Sequence, residues 1–269
     1  MSTIQLGFLG AGNMAEAIAR GIIRAEVLAP GEMLASDPAH DRRNLFEQEL
    51  GIATRDQNGP LVEAAPVVLV AVKPQQFDAA LAPLGGEFGP EKLVISICAG
   101  ISTRHVEEVL APETRVVRAM PNTPMLVGRG MAGICAGSCA TPDDLATAER
   151  LLGAAAEVIR VTEDLMDAVT AVSGSGPAYF FYLVELLADA AVEVGLSEDD
   201  ARRLARVTFE GAARLLAESG QEAADLRRKV TSPGGTTEAA IRTFDALGLR
   251  TTILEAVKAA RDRGRELGR

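Results

Sequence analysis

One short stretch near the N-terminus limits what this chain can become. Ile4-Gln5-Leu6-Gly7-Phe8-Leu9 is an apolar strand pattern, Gly10-Ala11-Gly12 follows it at once, and Glu16 to Ala25 carries helical periodicity. Strand, glycine turn and helix in that order open a dinucleotide-binding unit. Gly10 permits the tight turn, Gly12 lets a pyrophosphate approach the backbone, and small Ala15 lets the helix pack close to the strand. The phosphate then rests on exposed N–H groups at the start of the helix. Gly10, Ala11, Gly12, Asn13 and Met14 are therefore expected to hold a nicotinamide dinucleotide, against the plain alternative of an ordinary strand-to-helix turn.

The sequence that follows fits such a beginning. Short apolar runs at Met33–Ser36, Val67–Val72, Leu93–Ile97 and Val116–Met120 read as strands separated by helical stretches, the pattern of a mostly parallel sheet with helices on both faces. Met131–Ala136 and Glu157–Val161 complete the sheet around a helix expected over 142–156. From about Glu163 strand signals cease. Pro177 suits the first turn of an apolar helix that Gly195 ends, Ser197 caps the next, Gly220 follows that one, and two more begin near Thr237 and Arg250. The expected fold is α/β: a dinucleotide-binding domain over 1–162, then an all-helical domain over 163–269. Several of its helices are apolar on more than one face, which predicts burial against another subunit.

Composition excludes several classes of partner. Of 269 residues 48% are hydrophobic and 24% charged, enough apolar material for a folded core, while a net charge of -10 argues against nucleic acid or an anionic membrane surface. The most apolar helix, 179–194, is interrupted by Glu185, Asp189 and Glu193, so no membrane span is expected. The opening residues lack the basic flank and apolar core of a secretory leader, and the expected compartment is the cytoplasm. Cys98, Cys135 and Cys139 form no CxxC pair, sit among small apolar residues, and are expected to be buried thiols rather than metal ligands.

Further site residues are read from strand ends, where ligands of such sheets bind. Ser36 and Asp37 end the second strand. An acidic side chain there accepts hydrogen bonds from the ribose hydroxyls of NAD, while Ser36, Arg42 and Arg43 would meet the 2'-phosphate of NADP if Asp37 pointed away; both readings stay open. Ala71-Val72-Lys73-Pro74 and Cys98-Ala99-Gly100 face the same crevice, with Lys73 either a charge beside the cofactor or a solvated strand-end lysine.

Two small-residue loops lie in the helical half. Ser232-Pro233-Gly234-Gly235-Thr236-Thr237 precedes a helix, so Gly234 to Thr237 are expected to offer consecutive N–H groups to a carboxylate, with hydroxyls as extra donors; a simple helix cap is the alternative. The cluster from Asp167 to Tyr179, with Thr170, Ser173, Gly174, Ser175 and Gly176, permits close approach of a neighbouring helix, a nicotinamide ring or a substrate. The only histidines, His40 and His105, lie in the nucleotide domain, and the helix after Gly176 has no lysine or histidine through Val194. Alcohol dehydrogenation with its base on that helix is disfavoured. A protonated imine needs mainly orientation against the nicotinamide.

Five stretches carry a family resemblance: GFLGAGNMAEAIARG from Gly7, AVKPQ from Ala71, RAMPNTP from Arg118, DAVTAVSGSGPAY from Asp167 and VTSPGGTTEAAI from Val230. Over essentially its whole length the chain resembles the pyrroline-5-carboxylate reductases, which make L-proline from 1-pyrroline-5-carboxylate. The resemblance implies a Rossmann-type domain, a helical domain interlocking in a homodimer often assembled into a decamer, and NADP(H) or NAD(H) as cofactor. It further implies that Asn58, with Ala71 to Pro74, contacts the cofactor. Ser232, Gly235, Thr236 and Thr237 would bind the substrate, with Thr237 bonded to its nitrogen, and Thr170 and Ser173 would line the pocket near the reacting atoms. Members of the family often carry a non-acidic residue where this chain has Asp37.

Overall fold

The computed structural model describes residues 3–268. Contacts divide the chain into two compact units, one formed by residues up to Ser175 together with those from Ala260 onward, the other by Gly176–Ala259.

The first unit is a doubly wound α/β sheet. Its strands are β1 Leu6–Leu9, β2 Met33–Ser36, β3 Ala53–Arg55, β4 Val67–Val70, β5 Leu93–Ser96, β6 Arg115–Pro121, β7 Gly130–Ala136 and β8 Ala156–Arg160. They lie in the order β3-β2-β1-β4-β5-β6-β7-β8, parallel throughout except for the antiparallel pair β6 and β7. The helices are α1 Asn13–Arg24, α2 His40–Leu50, α3 Gly59–Ala64, α4 Phe77–Leu81, α5 Thr103–Val109, α6 Pro142–Leu152 and α7 Met166–Val169.

Alternation along the strands builds a core on each face. Leu6 and Phe8 of β1, Leu69 of β4 and Ile95 of β5 pack with Ile18 and Ile22 of α1 and Phe46 of α2. Leu9, Val68, Val70 and Val94 point the other way, onto Leu61, Phe77 and Leu81. With both faces covered, central strands read as continuous apolar runs rather than as alternating ones. Gly7 is required by that packing, since a Cβ there would stand 2.7 Å from Leu61 Cδ2.

Several sequence expectations need correction. The edge strand β3 was not foreseen: it has three residues and exposes two of them, so Ala53-Thr54-Arg55 carries too little apolar pattern to register. The helix expected over 142–156 ends at Leu152, because Ala156 already belongs to β8. Its start is well determined: Pro142 occupies the first turn, Thr141 Oγ1 accepts from the Asp144 N–H, and Asp144 Oδ2 accepts from the Thr141 N–H. Cys98 and Cys135 are buried, but Cys139 is exposed, since it lies in the turn beyond β7.

The second unit is helical. It holds α8 Gly176–Glu193, α9 Glu198–Ser219, α10 Ala223–Lys229, α11 Thr236–Ala246 and the first part of α12 Leu249–Leu267. Ser197 Oγ accepts from the Asp200 N–H to cap α9, and Gly220 closes it in the left-handed region. The short α10 was also unforeseen, as seven polar-rich residues give little periodicity. Helices α8 and α9 pack together, with Phe180 and Phe209 ring centroids 5.8 Å apart. Their other faces are bare: Phe181 is 66% exposed, Tyr182 59% and Leu187 52%. No described helix is long and apolar enough to cross a membrane.

Candidate active site

The order of the strands reverses direction between β1 and β4, and there the chain leaves a cleft beyond the strands' carboxyl ends. A cavity of about 590 Å³ opens at this point, lined by Gly10, Gly12, Ser36, Asp37, Asn58, Ala71, Val72 and Lys73. Eight residues singled out from four separated stretches thus meet. Arg42, Pro38 and Ala39 line it beside Asp37, and Gln76, Ala79 and Ala80 complete the opposite wall. Those last three were missed, although they follow directly on Lys73-Pro74 and two of them are small enough to wall a flat ring.

The turn itself fits a dinucleotide. Gly10 has φ +98, and a Cβ there would meet the Ala71 carbonyl oxygen at 2.9 Å, so only glycine brings β1 and β4 this close. Gly12 is the reverse case. Its backbone is extended, and a Cβ on it would have nothing within 4 Å, which leaves a clear approach to the N-terminus of α1. No side chain caps that helix. Open space over uncapped N–H groups is the arrangement a pyrophosphate needs.

Ala11 differs from its neighbours. Its N–H donates to Asp37 Oδ2 at 2.9 Å and its carbonyl accepts from Arg42 Nε at 2.6 Å, so both of its backbone groups are engaged within the chain. The N–H groups left for an anion are those of Gly12 and the first residues of α1. Asn13 is exposed and Met14 packs partly on the core, neither in the cavity wall.

The same bonds fix the side chains at the end of β2. Asp37 turns toward the glycine turn, with Oδ1 accepting from the Ala39 N–H at 2.8 Å. Arg42 reaches Glu16 at 2.8 Å, and Arg43 donates to the Asp37 and Pro38 carbonyls. Partial burial pushes the Glu16 carboxyl upward, but Arg42 and Arg20 outweigh it and hold the group below its ordinary value. Ser36 is fully buried and donates to Asn58 Oδ1 at 2.8 Å. Both arginines and Ser36 are therefore engaged by partners in the chain, and two charged side chains line the cavity at this corner: Asp37, its carboxylate held by two N–H groups, and Arg42, bonded to Glu16 and the Ala11 carbonyl.

Lys73 is exposed at the cavity mouth and makes no ion pair among the described residues. Pro74 begins a short 3₁₀ turn outside the lining. Cys98 sends its thiol inward to the Val72 carbonyl at 3.3 Å, and burial raises its pKa to about 11. Ala99 is exposed, and Gly100 lies against Leu267. None of these three lines the cavity.

Thr170 and Ser173 occupy a π turn, Thr170–Gly174, closed by the Ser175 N–H donating to the Thr170 carbonyl at 2.8 Å. Such turns recur at functional sites. The Thr170 hydroxyl donates to the Met166 carbonyl at 2.9 Å, so its proton is already committed. Upstream, Glu163 anchors the segment. It pairs with buried Arg118 of β6 and accepts from Thr103 Oγ1 at 3.0 Å and from the Cys135 thiol at 3.1 Å. Burial alone would raise the Glu163 carboxyl, yet Arg118 and these hydrogen bonds hold it below the ordinary range. Burial and then Glu163 push the Cys135 thiol well up, so it stays a donor.

The second glycine-rich loop lies in the helical unit. Gly235 ends it as the N-cap of α11, with Gly234 in the left-handed region at φ +72. The expectation of four free N–H groups needs correction. The Gly234 N–H donates to Glu238 Oε2 at 2.7 Å and the Gly235 N–H to the Ser232 carbonyl at 3.0 Å. Of the four, the N–H groups of Thr236 and Thr237 remain, at the start of α11. The hydroxyls of Ser232, Thr236 and Thr237 have no protein partner among the described residues.

A sheet of this order, with a glycine turn and an open cleft at its switch point, defines a dinucleotide-dependent oxidoreductase. Residues 5–100 match the family described as NADP oxidoreductase, coenzyme F420-dependent, and 163–267 match pyrroline-5-carboxylate reductase dimerisation. A pyrroline-5-carboxylate reductase of Synechocystis is 43% identical over 267 residues, 99% of each chain. Among solved structures, a pyrroline-5-carboxylate reductase from Coxiella burnetii superposes over 100% of both chains with a TM-score of 0.92 at 37% identity. A Plasmodium falciparum pyrroline carboxylate reductase with NADP bound does so with a TM-score of 0.86 at 30% identity, again over 100% of both chains. The chain belongs to the pyrroline-5-carboxylate reductase family.

Proposed function

We propose that this chain reduces 1-pyrroline-5-carboxylate to L-proline with NADPH or NADH, the last step of proline biosynthesis. The observation that carries the reading is similarity over the full length of both chains, through the turn at Gly10 and the loop ending in Thr237 alike. When bound, the reduced nicotinamide supplies a hydride to the imine carbon. A protonated imine already carries positive charge there, so the chain's task is to bind, orient and exclude water.

The roles divide by residue. Gly12 and the open N–H groups of α1 receive the pyrophosphate, Asn58 and Ala71 to Lys73 flank the dinucleotide, and Lys73 offsets its charge. The N–H groups of Thr236 and Thr237 hold the substrate carboxylate, with the Ser232 hydroxyl beside them. The Thr237 hydroxyl bonds the ring nitrogen. Ser173 is a better donor near the reacting atoms than Thr170, whose proton the Met166 carbonyl already takes. Asp37 biases the site toward NADH, because a carboxylate at the cavity wall repels a 2'-phosphate.

The chain works as a homodimer, itself able to assemble to a decamer. Bare aromatic and aliphatic faces on α8, in a stretch matching the family's dimerisation region, support that reading. Free thiols at Cys98, Cys135 and Cys139 suit the reducing cytoplasm. The test is direct: purified protein is given pyrroline-5-carboxylate with NADPH or NADH, and consumption of the reduced cofactor is followed. Protein that oxidises neither removes the proposal.

A further inference from the structure

Asn122, just beyond the end of β6, is hydrogen-bonded to Ser173. The Met131 N–H of β7 donates to Asn122 Oδ1 at 2.9 Å, which fixes the amide so that its nitrogen faces the π turn. Asn122 Nδ2 then donates to the Ser173 carbonyl at 3.1 Å and to Ser173 Oγ at 3.3 Å. A hydroxyl oxygen that accepts from an amide keeps its own proton free for another acceptor. Packing holds the turn in the same place. A Cβ on Gly174 would overlap Met120 Cε at 2.6 Å, and one on Gly133 would meet Val169 Cγ1 at 2.7 Å.

We infer that Asn122 is a positioning residue for the reaction: its fixed amide makes Ser173 Oγ an acceptor on the protein side and a donor toward the pocket. This rests on the reading of Ser173 as a pocket residue. Asn122 lies in the stretch RAMPNTP, which the sequence marks only as one of those carrying the family resemblance, with no role for this residue. Its partner is some fifty residues away along the chain.

Asn122→Asp is the sharpest perturbation. It keeps the side chain's size and the acceptor for Met131, but it replaces the Nδ2 donor with an anionic oxygen facing two acceptors. The Ser173 proton is then drawn inward. The expected result is a kcat lower by roughly 10-fold or more with NAD(P)H affinity within about 2-fold, from the loss of one donor bond and the mismatch that replaces it. Ser173→Ala is measured alongside, and so is the double variant. If Asn122 acts through Ser173, the double variant is no slower than Ser173→Ala alone.

Losses that multiply, or a normal kcat for Asn122→Asp beside an impaired Ser173→Ala, overturn the inference and leave the role of Ser173 standing. A normal kcat for Ser173→Ala overturns both. Thermal melting and cofactor titration report whether each variant is folded. If Asn122→Asp is not, Asn122→Ala, which removes the donor without adding charge, takes its place in the same cycle.

Discussion

Gly10 and Gly12 stand two residues apart, yet their substitution by alanine should fail in different ways. Gly12 has φ -70 and ψ 178, a conformation any residue adopts, and a Cβ there has nothing within 4 Å. Gly12→Ala should therefore fold normally, and the reduced entropy of its unfolded chain should add a few tenths of a kcal/mol or more. The new methyl, however, occupies the open approach to the N-terminus of α1. A pyrophosphate pushed outward loses one charge-assisted hydrogen bond to an N–H group, about 1.5–3 kcal/mol. That corresponds to a roughly 10- to 100-fold rise in the Kd for NAD(P)H.

Gly10→Ala meets a different obstacle. Its φ of +98 is costly for alanine, and the added carbon stands 2.9 Å from the Ala71 oxygen and 3.2 Å from the Val72 nitrogen, both backbone. Strain of about 1–3 kcal/mol, plus the cost of the backbone shift that relieves the clash, should lower the melting temperature by several degrees. The assays are thermal melting without cofactor and fluorescence titration with NAD(P)H. Two results would refute the reasoning: Gly12→Ala binding the cofactor as tightly as the parent, or Gly12→Ala losing stability together with affinity.

Three further outcomes follow from the geometry. Asp37→Ser should move the kcat/KM ratio of NADPH to NADH upward by about tenfold, the effect of removing like-charge repulsion worth ~1.4 kcal/mol; an unchanged ratio would show that the carboxylate does not face the 2'-position. Thr237→Ala should raise KM for the imine acid by roughly tenfold while NAD(P)H affinity stays near normal, and a loss confined to cofactor binding would show the loop wrongly assigned. Glu163 has its folded-state pKa held below the ordinary 4.5, so the stability it contributes is present above pH 4.5 and lost as pH falls through the lowered value. Melting temperatures followed across and below pH 4.5 should therefore fall less steeply for Glu163→Gln, and parallel curves would contradict that.

Much of the site was legible because its parts are local. A strand, two glycines and a helix are contiguous, and their geometry follows from backbone sterics wherever the rest of the chain goes. Strand ends at Ser36 and Ala71 were likewise visible as edges of apolar runs. The edge strand β3 was not, because three residues with two exposed have no pattern that long-range pairing alone does not supply.

Partnership between distant side chains was also beyond the sequence. From sequence, Asp37 could either meet the ribose of NAD or turn away and leave Ser36, Arg42 and Arg43 to a 2'-phosphate; only the fold brings it to the Ala11 N–H and gives Arg42 and Arg43 their partners in the chain. The loop at Gly234 read as four open N–H groups until Glu238 and the Ser232 carbonyl took two of them. Ser173 and Asn122 lie on different elements, and no spacing rule joins them. By itself the sequence determined that a dinucleotide turn exists and which family carries it, since both rest on short contiguous patterns. Tertiary structure decided which donors and acceptors remain available there, because hydrogen-bond partners are consumed by whatever the fold brings within about 3 Å.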